Sequence, residues 1–211
     1  MNKQYPFINP PLPYAYNALE PYIDEKTMHL HHDKHLQTYV DNLNHILEPY
    51  PTLQGLSLEE LLTCPVCLPS GLQIPIRNNA GGVYNHIFYF SNLTPMPSPS
   101  IPSTLKEAIT ASFGSMDEWK TNFKKAALSV FGSGYVWLIL DKNKTLSIMI
   151  TQNQDTPLSS GFCPILNLDV WEHAYYLKHY NVRSDYIDDW FALIDWNRVN
   201  QNFTYCMQKM P

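Results

Sequence analysis

The sequence is poor in charge and has no excess of basic residues. Charged residues fill 16% of its 211 positions, below the roughly 25% usual for globular domains, and 14 Lys and Arg face 19 Asp and Glu for a net charge of -5. A general nucleic-acid binder needs a basic face to neutralise phosphates, so nucleic acid is not an expected partner. No run of 18 apolar residues occurs, so no membrane-spanning helix is expected. The opening Met1-Asn2-Lys3-Gln4-Tyr5-Pro6 contains no apolar leader segment. Cysteine is sparse too. Cys64, Cys67, Cys163 and Cys206 are too few for a disulfide-built secreted scaffold. Together these absences point to a cytoplasmic protein. No internal repeat is evident.

What is present is a normal hydrophobic fraction, 45%, and 17 prolines that divide the chain into segments. Residues 1–17 read as an extended arm, because Pro10-Pro11-Leu12-Pro13 fixes φ and removes backbone donors. From Leu19 to about Glu48 the pattern is helical. Pro21 falls in the expected first turn, and Leu36, Tyr39, Val40, Leu43, Ile46 and Leu47 recur at spacings of three and four. Ser57-Leu58-Glu59-Glu60 is a capping box that opens a short helix. Residues 63–76 read as loop, and a second long helix is expected over about Asn79–Asn92. The run Thr94–Pro102 holds four prolines in nine residues and reads as a stiff linker.

Beyond it, Thr104-x-x-Glu107 and Ser115-x-x-Glu118 read as capping boxes. Tyr135–Leu140 and Thr145–Thr151 read as a hairpin, and Pro164–Leu168 as a third strand that delivers Asp169. Helices are expected over residues 171–180, 185–195 and 196–209. The expected fold is therefore α+β. An N-terminal helical hairpin domain (1–93) is joined by a Pro-rich linker (94–102) to a C-terminal domain (103–211) of helices around a small three-stranded antiparallel sheet.

Asp169 and His173 stand four residues apart in Asp169-Val170-Trp171-Glu172-His173, and both are ligand types for first-row metals. Such a pair proves little alone, since helices carry them by chance. Other candidates exist, however. His29, His31, His32 and His35 share one helical stretch, with His31 and His35 on one face, and His86 lies on the second long helix. His45 and His179 have no arguable partners. Two histidines from a helical hairpin, together with Asp169 and His173, would make a three-His, one-carboxylate site between two domains. Such a set suits manganese or iron better than the thiolate chemistry of structural zinc.

The motifs that follow one another along the chain then resemble a known family. They are Leu12-Pro13-Tyr14 with Ala18-Leu19-Glu20-Pro21, Leu30-His31-His32-Asp33-Lys34-His35 with Tyr39, and Asn78-Asn79-Ala80-Gly81-Gly82 with Asn85-His86. Next come Phe131-Gly132-Ser133-Gly134, Asn153-Gln154-Asp155, and Asp169–Tyr176. In this order, over nearly the whole length, the chain is similar to iron/manganese superoxide dismutases. The resemblance implies that His31, His86, Asp169 and His173 bind one manganese ion per subunit (Mn2+/Mn3+, with iron as an option). It implies that His35 and Tyr39 line the substrate channel and that Gln154 hydrogen-bonds the metal's solvent. Trp171 would form a wall of the pocket. Glu172 and Tyr176 would reach across a homodimer interface.

Gln154 occupies the place typical of manganese-type members, whereas Gly82 holds the place where iron-type members usually carry the glutamine. Phe90 and Tyr135 stand where tryptophan is usual. The aromatic wall survives, but Tyr135 brings a hydroxyl that needs a partner if buried.

The reaction implied is disproportionation of superoxide to dioxygen and hydrogen peroxide. Its anionic substrate calls for a local positive rim, for which Lys34 and Arg183 are candidates. A metal-storage module would have no need of Tyr39, His35 and Gln154. A zinc hydrolase would need a general base that is not evident, and H-E-x-x-H is absent. Cys64-Pro65-Val66-Cys67 is not a family feature; it could bind metal or form a disulfide, but without a second pair it reads first as an incidental loop.

Overall fold

The computed structural model describes residues 4–98 and 100–210. The first three residues of the expected arm, Pro99 of the expected linker and the terminal Pro211 lie outside them.

The first helix begins later than the apolar spacing suggests. Leu19–Ile23 form turns, and α1 (Glu25–His29) starts where Asp24 caps it, accepting from the Thr27 backbone N–H at 2.9 Å and from its hydroxyl at 2.6 Å. Pro21 therefore lies ahead of the helix, not in its first turn. From Leu30 to Leu36 the helix widens into a π-helix before narrowing again as α2 (Gln37–Leu47). The expected spacing of three and four holds through this stretch, and Leu36, Val40, Leu43 and Leu47 are all buried. Two short helices follow, α3 (Pro51–Gln54) and α4 (Leu58–Thr63). The latter carries the full Ser57–Glu60 capping box.

Half of the expected loop is helix. α5 runs from Ser70 to Ser91, with Pro75 inside it. Pro75 sits in the second turn, so the hydrogen bond it cannot donate is missed only by Gly71, close to the open helix start. Buried Ile76, Ala80, Val83 and Ile87 then hold α5 against α2 and form the hairpin.

In the C-terminal part, α6 (Ser103–Phe113) and α7 (Met116–Ser129) follow one another and pack together. The expected box at Thr104 does not form. Pro102 holds the cap position, and the Thr104 hydroxyl donates instead to Asn200 Oδ1 at 3.2 Å. At Ser115 the side chain does cap Glu118 N–H, at 3.1 Å.

Strands β1 (Gly134–Leu140), β2 (Leu146–Gln152) and β3 (Cys163–Asp169) form an antiparallel sheet in the order β2-β1-β3. Every residue of β1 and β3 is buried, as expected for continuous apolar runs covered on both faces. The sheet packs through β3 onto α5, so the hairpin and the sheet meet directly.

The residues after Asp169 are not one helix. A 3-10 turn (Glu172–Ala174) and the short α8 (Tyr176–His179) precede α9 (Arg183–Phe191) and α10 (Trp196–Lys209). Trp119, Phe123, Trp190, Phe191 and Trp196 pack ring to ring among α7, α9 and α10, with nearest centroids 5.2–5.8 Å apart. Each such ring removes about 150–250 Å² from water.

All four cysteines are paired, Cys64 with Cys67 and Cys163 with Cys206. The incidental-loop reading of Cys64–Cys67 is thereby corrected: the two thiols close a turn three residues long.

Candidate metal centre

Four elements from the two halves converge on one buried point. His31 comes from the π-helical stretch, His86 from the middle of α5, Asp169 from the end of β3, and His173 from the 3-10 turn after it. Asp169 Oδ2 lies 3.2 Å from His31 Nε2, 3.5 Å from His173 Nε2 and 3.9 Å from His86 Nε2. All four donor atoms fall within 4.8 Å of one another.

The backbone places them for identifiable reasons. Asp169 is the last strand residue, paired with Tyr135 on β1. Its Oδ1 accepts the Trp171 backbone N–H at 2.8 Å, which leaves Oδ2 to face the histidines. The Tyr186 hydroxyl donates to the Asp169 carbonyl at 2.8 Å and meets the Tyr89 hydroxyl at 3.0 Å.

The His86 tautomer follows from its neighbour. Nδ1 lies 2.6 Å from the Gly82 carbonyl, which can only accept, so Nδ1 carries the proton and Nε2 offers a lone pair. His86 Nε2 and His173 Nε2 are both buried with no hydrogen-bond partner among the described residues. Two buried imidazole nitrogens without partners, beside a carboxylate, are costly unless an ion fills the space between them. Donors about 2.1 Å from a common ion and about 90–120° apart sit about 3.0–3.6 Å from one another, taking zinc–ligand lengths as the guide. The Asp169–His31 and Asp169–His173 separations, 3.2 and 3.5 Å, fall in that range, while His86 Nε2 stands somewhat wider at 3.9 Å, so the donor set can close on one first-row metal ion with a small inward shift.

Electrostatics agree. Burial pushes the His31 imidazole down to about 4 despite the pull of Asp169, and burial likewise holds His86 well below the usual range. For Asp169 burial acts upward, but the facing imidazoles of His173 and His31 prevail and hold its carboxyl far below the ordinary range. The cluster at neutral pH thus contains an ionised Asp169 beside neutral His31 and His86.

Of the channel candidates, Tyr39 and Gln154 are in contact. Gln154 Nε2 donates to the Tyr39 hydroxyl at 3.1 Å, while Gln154 Oε1 accepts from Asn85 Nδ2, also at 3.1 Å. Burial raises the Tyr39 phenol, against the lowering effect of the Gln154 bond. His35 is exposed, and its ring stacks on His173 with centroids 4.2 Å apart. Burial lowers its imidazole, as does the neighbouring His173.

Two glycines permit this closeness. A Cβ on Gly82 would overlap the Tyr39 ring, and one on Gly81 would overlap the Gln154 carbonyl. A side chain at position 82 is thus sterically opposed as long as Tyr39 holds its place.

Trp171 packs beside His173, with ring centroids 5.5 Å apart, and its indole N–H donates to the Asn153 carbonyl at 3.1 Å. Phe90 meets His31 edge-on at 4.9 Å. Tyr135 is fully buried, with its hydroxyl 3.5 Å from His86 Nδ1.

The remaining histidines sort themselves out. His29 and His32 both bond Asp33, and His179 bonds Asp189. Of the rim candidates, Lys34 is exposed. Arg183 donates to the carbonyls of Val130 and Gly132 and to the Tyr175 hydroxyl, so its guanidinium is a clamp.

Asn85, Tyr89 and Tyr186, together with Asn167, whose Nδ2 donates to the Asn85 carbonyl at 3.1 Å, hold the site from behind, and none of the four carries a recognisable signal of that role in the sequence except Asn85. Asn85 stood beside His86 in a motif already noted, and that was its only signal. Tyr186 sits on an amphipathic helix, where it looks like any core aromatic.

Comparison with known proteins places these features in context. Residues 6–94 match the profile of the iron/manganese superoxide dismutases, alpha-hairpin domain, and residues 101–202 match that of their C-terminal domain. The manganese superoxide dismutase 1 of Leptolyngbya boryana is 45% identical over 201 residues, covering 94% of this chain and 81% of the relative. Manganese superoxide dismutase 3 of the same organism is 42% identical over 200 residues, covering 95% and 84%.

Proposed function

The chain belongs to the iron/manganese superoxide dismutase family and converts superoxide to dioxygen and hydrogen peroxide, and we propose that His31, His86, Asp169 and His173 hold its metal ion while Tyr39, Gln154 and His35 manage protons. The observation that carries this assignment is the buried meeting of the four donors with the Tyr39–Gln154 hydrogen bond beside it. Bound manganese or iron supplies a one-electron change, reversible between two charge states, that no side chain here can make.

The protein's part is to bias and supply. Asp169 brings a fixed negative charge next to the ion, which favours its higher charge state. The neutral imidazoles add lone pairs without charge. Peroxide formation consumes two protons. The Tyr39 oxygen accepts from Gln154, so the phenol keeps its own proton free to donate. Its raised pKa keeps that proton in place until a strong base, such as reduced superoxide, comes within reach. His35, exposed and stacked on His173, forms the solvent side from which protons return. Lys34 contributes positive charge toward the anionic substrate.

Manganese is the proposed resident, supported by Gln154 in the manganese-type position and by the crowding at Gly82. The domain boundary is proposed within residues 94–102.

A homodimer is proposed as well. Glu172 is exposed with no ion-pair partner among the described residues of its own protomer. Exposed apolar residues follow it in the chain, Tyr176, Tyr180 (65%) and Val182, and Phe131 (94% exposed) is tied to the same segment through the Arg183–Gly132 hydrogen bond. A symmetric two-fold contact would cover this apolar face and give Glu172 and Tyr176 their partners.

Among the described residues no helix is long and apolar enough to cross a membrane. The expected cytoplasmic residence rests on composition alone. The two disulfides favour an oxidising compartment, and that is the placement proposed.

Metal analysis paired with a superoxide-decay assay tests the central reading. The expected result is about one manganese, or iron, per chain together with rapid dismutation, in line with a single four-donor cluster. A manganese-loaded but inert protein overturns it.

A further inference from the structure

The two disulfides differ in kind. Cys163–Cys206 joins β3 to α10 across 43 residues of chain, and its cysteines are 5% and 0% exposed. Cys64–Cys67 closes a turn between α4 and α5 with Cys67 exposed and Cys64 partly so. Val66 between them is 82% exposed. We propose that Cys64 and Cys67 are a redox-active pair that exchanges with dithiols while the protein stays folded.

Exchange needs an attacking thiolate to reach one sulfur of the disulfide and a second sulfur able to leave. Exposed Cys67 is open to that approach, and Cys64 is the leaving group. The spacing of two residues between cysteines is that of redox-active dithiols, whose partner thiol remains near enough to close again.

The turn also survives opening. Cys67 N–H donates to the Cys64 carbonyl at 2.9 Å, and Leu68 N–H to the Pro65 carbonyl at 3.1 Å, so the backbone shape does not depend on the sulfur bond. Leu68 is buried and anchors the turn, and the capped α4 and the 22-residue α5 hold its two ends. Opening Cys163–Cys206 instead would place two thiols inside the core, where no dithiol reaches them.

The chemistry balances. One thiolate of the dithiol attacks the Cys67 sulfur, the Cys64–Cys67 bond breaks, and Cys64 departs as thiolate and takes a proton from solvent. The second thiol of the reagent then attacks its own sulfur in the mixed disulfide and releases Cys67. Two electrons have passed to the protein pair, and the reagent is left as a cyclic disulfide.

The test uses the metal-loaded protein at neutral pH with dithiothreitol as the dithiol. Samples are quenched with N-ethylmaleimide and mapped by mass spectrometry under non-reducing conditions. The expected result is labelling of Cys64 and Cys67 at least about tenfold faster than of Cys163 and Cys206, the separation that exposure imposes on exchange. Oxidised glutathione should then restore the unlabelled pair. A Cys64→Ser/Cys67→Ser double variant should show no label over the same interval. Labelling of all four cysteines together, labelling of neither pair, or recovery of Cys64 and Cys67 as thiols that oxidised glutathione cannot close would each overturn the proposal.

Discussion

The two halves of the molecule each give two side chains to the proposed metal centre, but they hold them by different means. The hairpin sets His31 and His86 inside helices, where the backbone ladder fixes each residue and the ring needs only a local contact such as the Gly82 carbonyl. The sheet half offers Asp169 at the last position of a strand and His173 in a turn of three residues, where regular structure is ending. There the work passes to side chains and single amides: Trp171 N–H on Asp169 Oδ1, and the Tyr186 hydroxyl on the Asp169 carbonyl. Repetitive structure positions donors cheaply but offers few directions. Chain ends offer many directions and need named hydrogen bonds to choose one.

That contrast can be attacked at four points, taken from the largest expected effect to the smallest. Asp169→Ala removes the one anionic donor and leaves neutral histidines around a void. Metal content measured by plasma emission should fall below a tenth, and activity should drop by more than the roughly 10–100-fold that outer groups command. Retained metal would show that the helix-borne histidines suffice. Gln154→Ala keeps all four donors and frees the Tyr39 oxygen. Metal content should stay near one per chain while turnover in pulse radiolysis falls about 10–100-fold; unchanged turnover would remove Gln154 from the mechanism.

Tyr186→Phe deletes the hydrogen bond to the Asp169 carbonyl, along with the hydroxyl contact to Tyr89 on α5, and leaves all four donors in place. It should lower stability by about 1–3 kcal/mol, since a buried carbonyl loses its donor. Calorimetry should show this as a drop in Tm of about 2–12 °C, and an unchanged Tm would mean that the strand end holds itself. Ser57→Ala removes the cap of α4, a helix that carries none of the proposed site residues. About 1 kcal/mol and about 2–4 °C should be lost, with activity per bound metal intact. A loss of activity there would mean that the hairpin's helices are less independent than their ladders suggest.

Much of this was legible in the residues, and what was not has physical reasons. The apolar stripe over Leu36–Leu47 and the continuous β1 and β3 runs were readable because burial writes a period into sequence. The donors were readable as a set only through the order of several motifs, since no single spacing joins His31 to His173. The π-helix at Leu30–Leu36 left no mark, because a stripe at three and four is tolerated by either helix over so few residues. The start of α5 was hidden by Gly71 and Pro75, which are loop formers in isolation and were outvoted by Ile76 and the residues beyond it. Thr104 misled because a capping box is a local pattern, and Asn200, almost a hundred residues away, offered its hydroxyl a better partner. The pairing of Cys163 with Cys206 depends on α10 lying along β3, a tertiary fact that spacing does not contain.

Asp169 and His86 expose no surface and His31 only 1%. His173, at 13% side-chain exposure, is the one donor of the four that solvent touches, so an ion exchanging with the closed protein would have to pass it or wait for the hairpin and the sheet to part. Timing would then join the preference that Gln154 and Gly82 support: an ion bound as the chain folds would be slow to leave. A chain folded in iron and a chain folded in manganese would share every atom of protein and yet remain different enzymes for as long as both stayed closed.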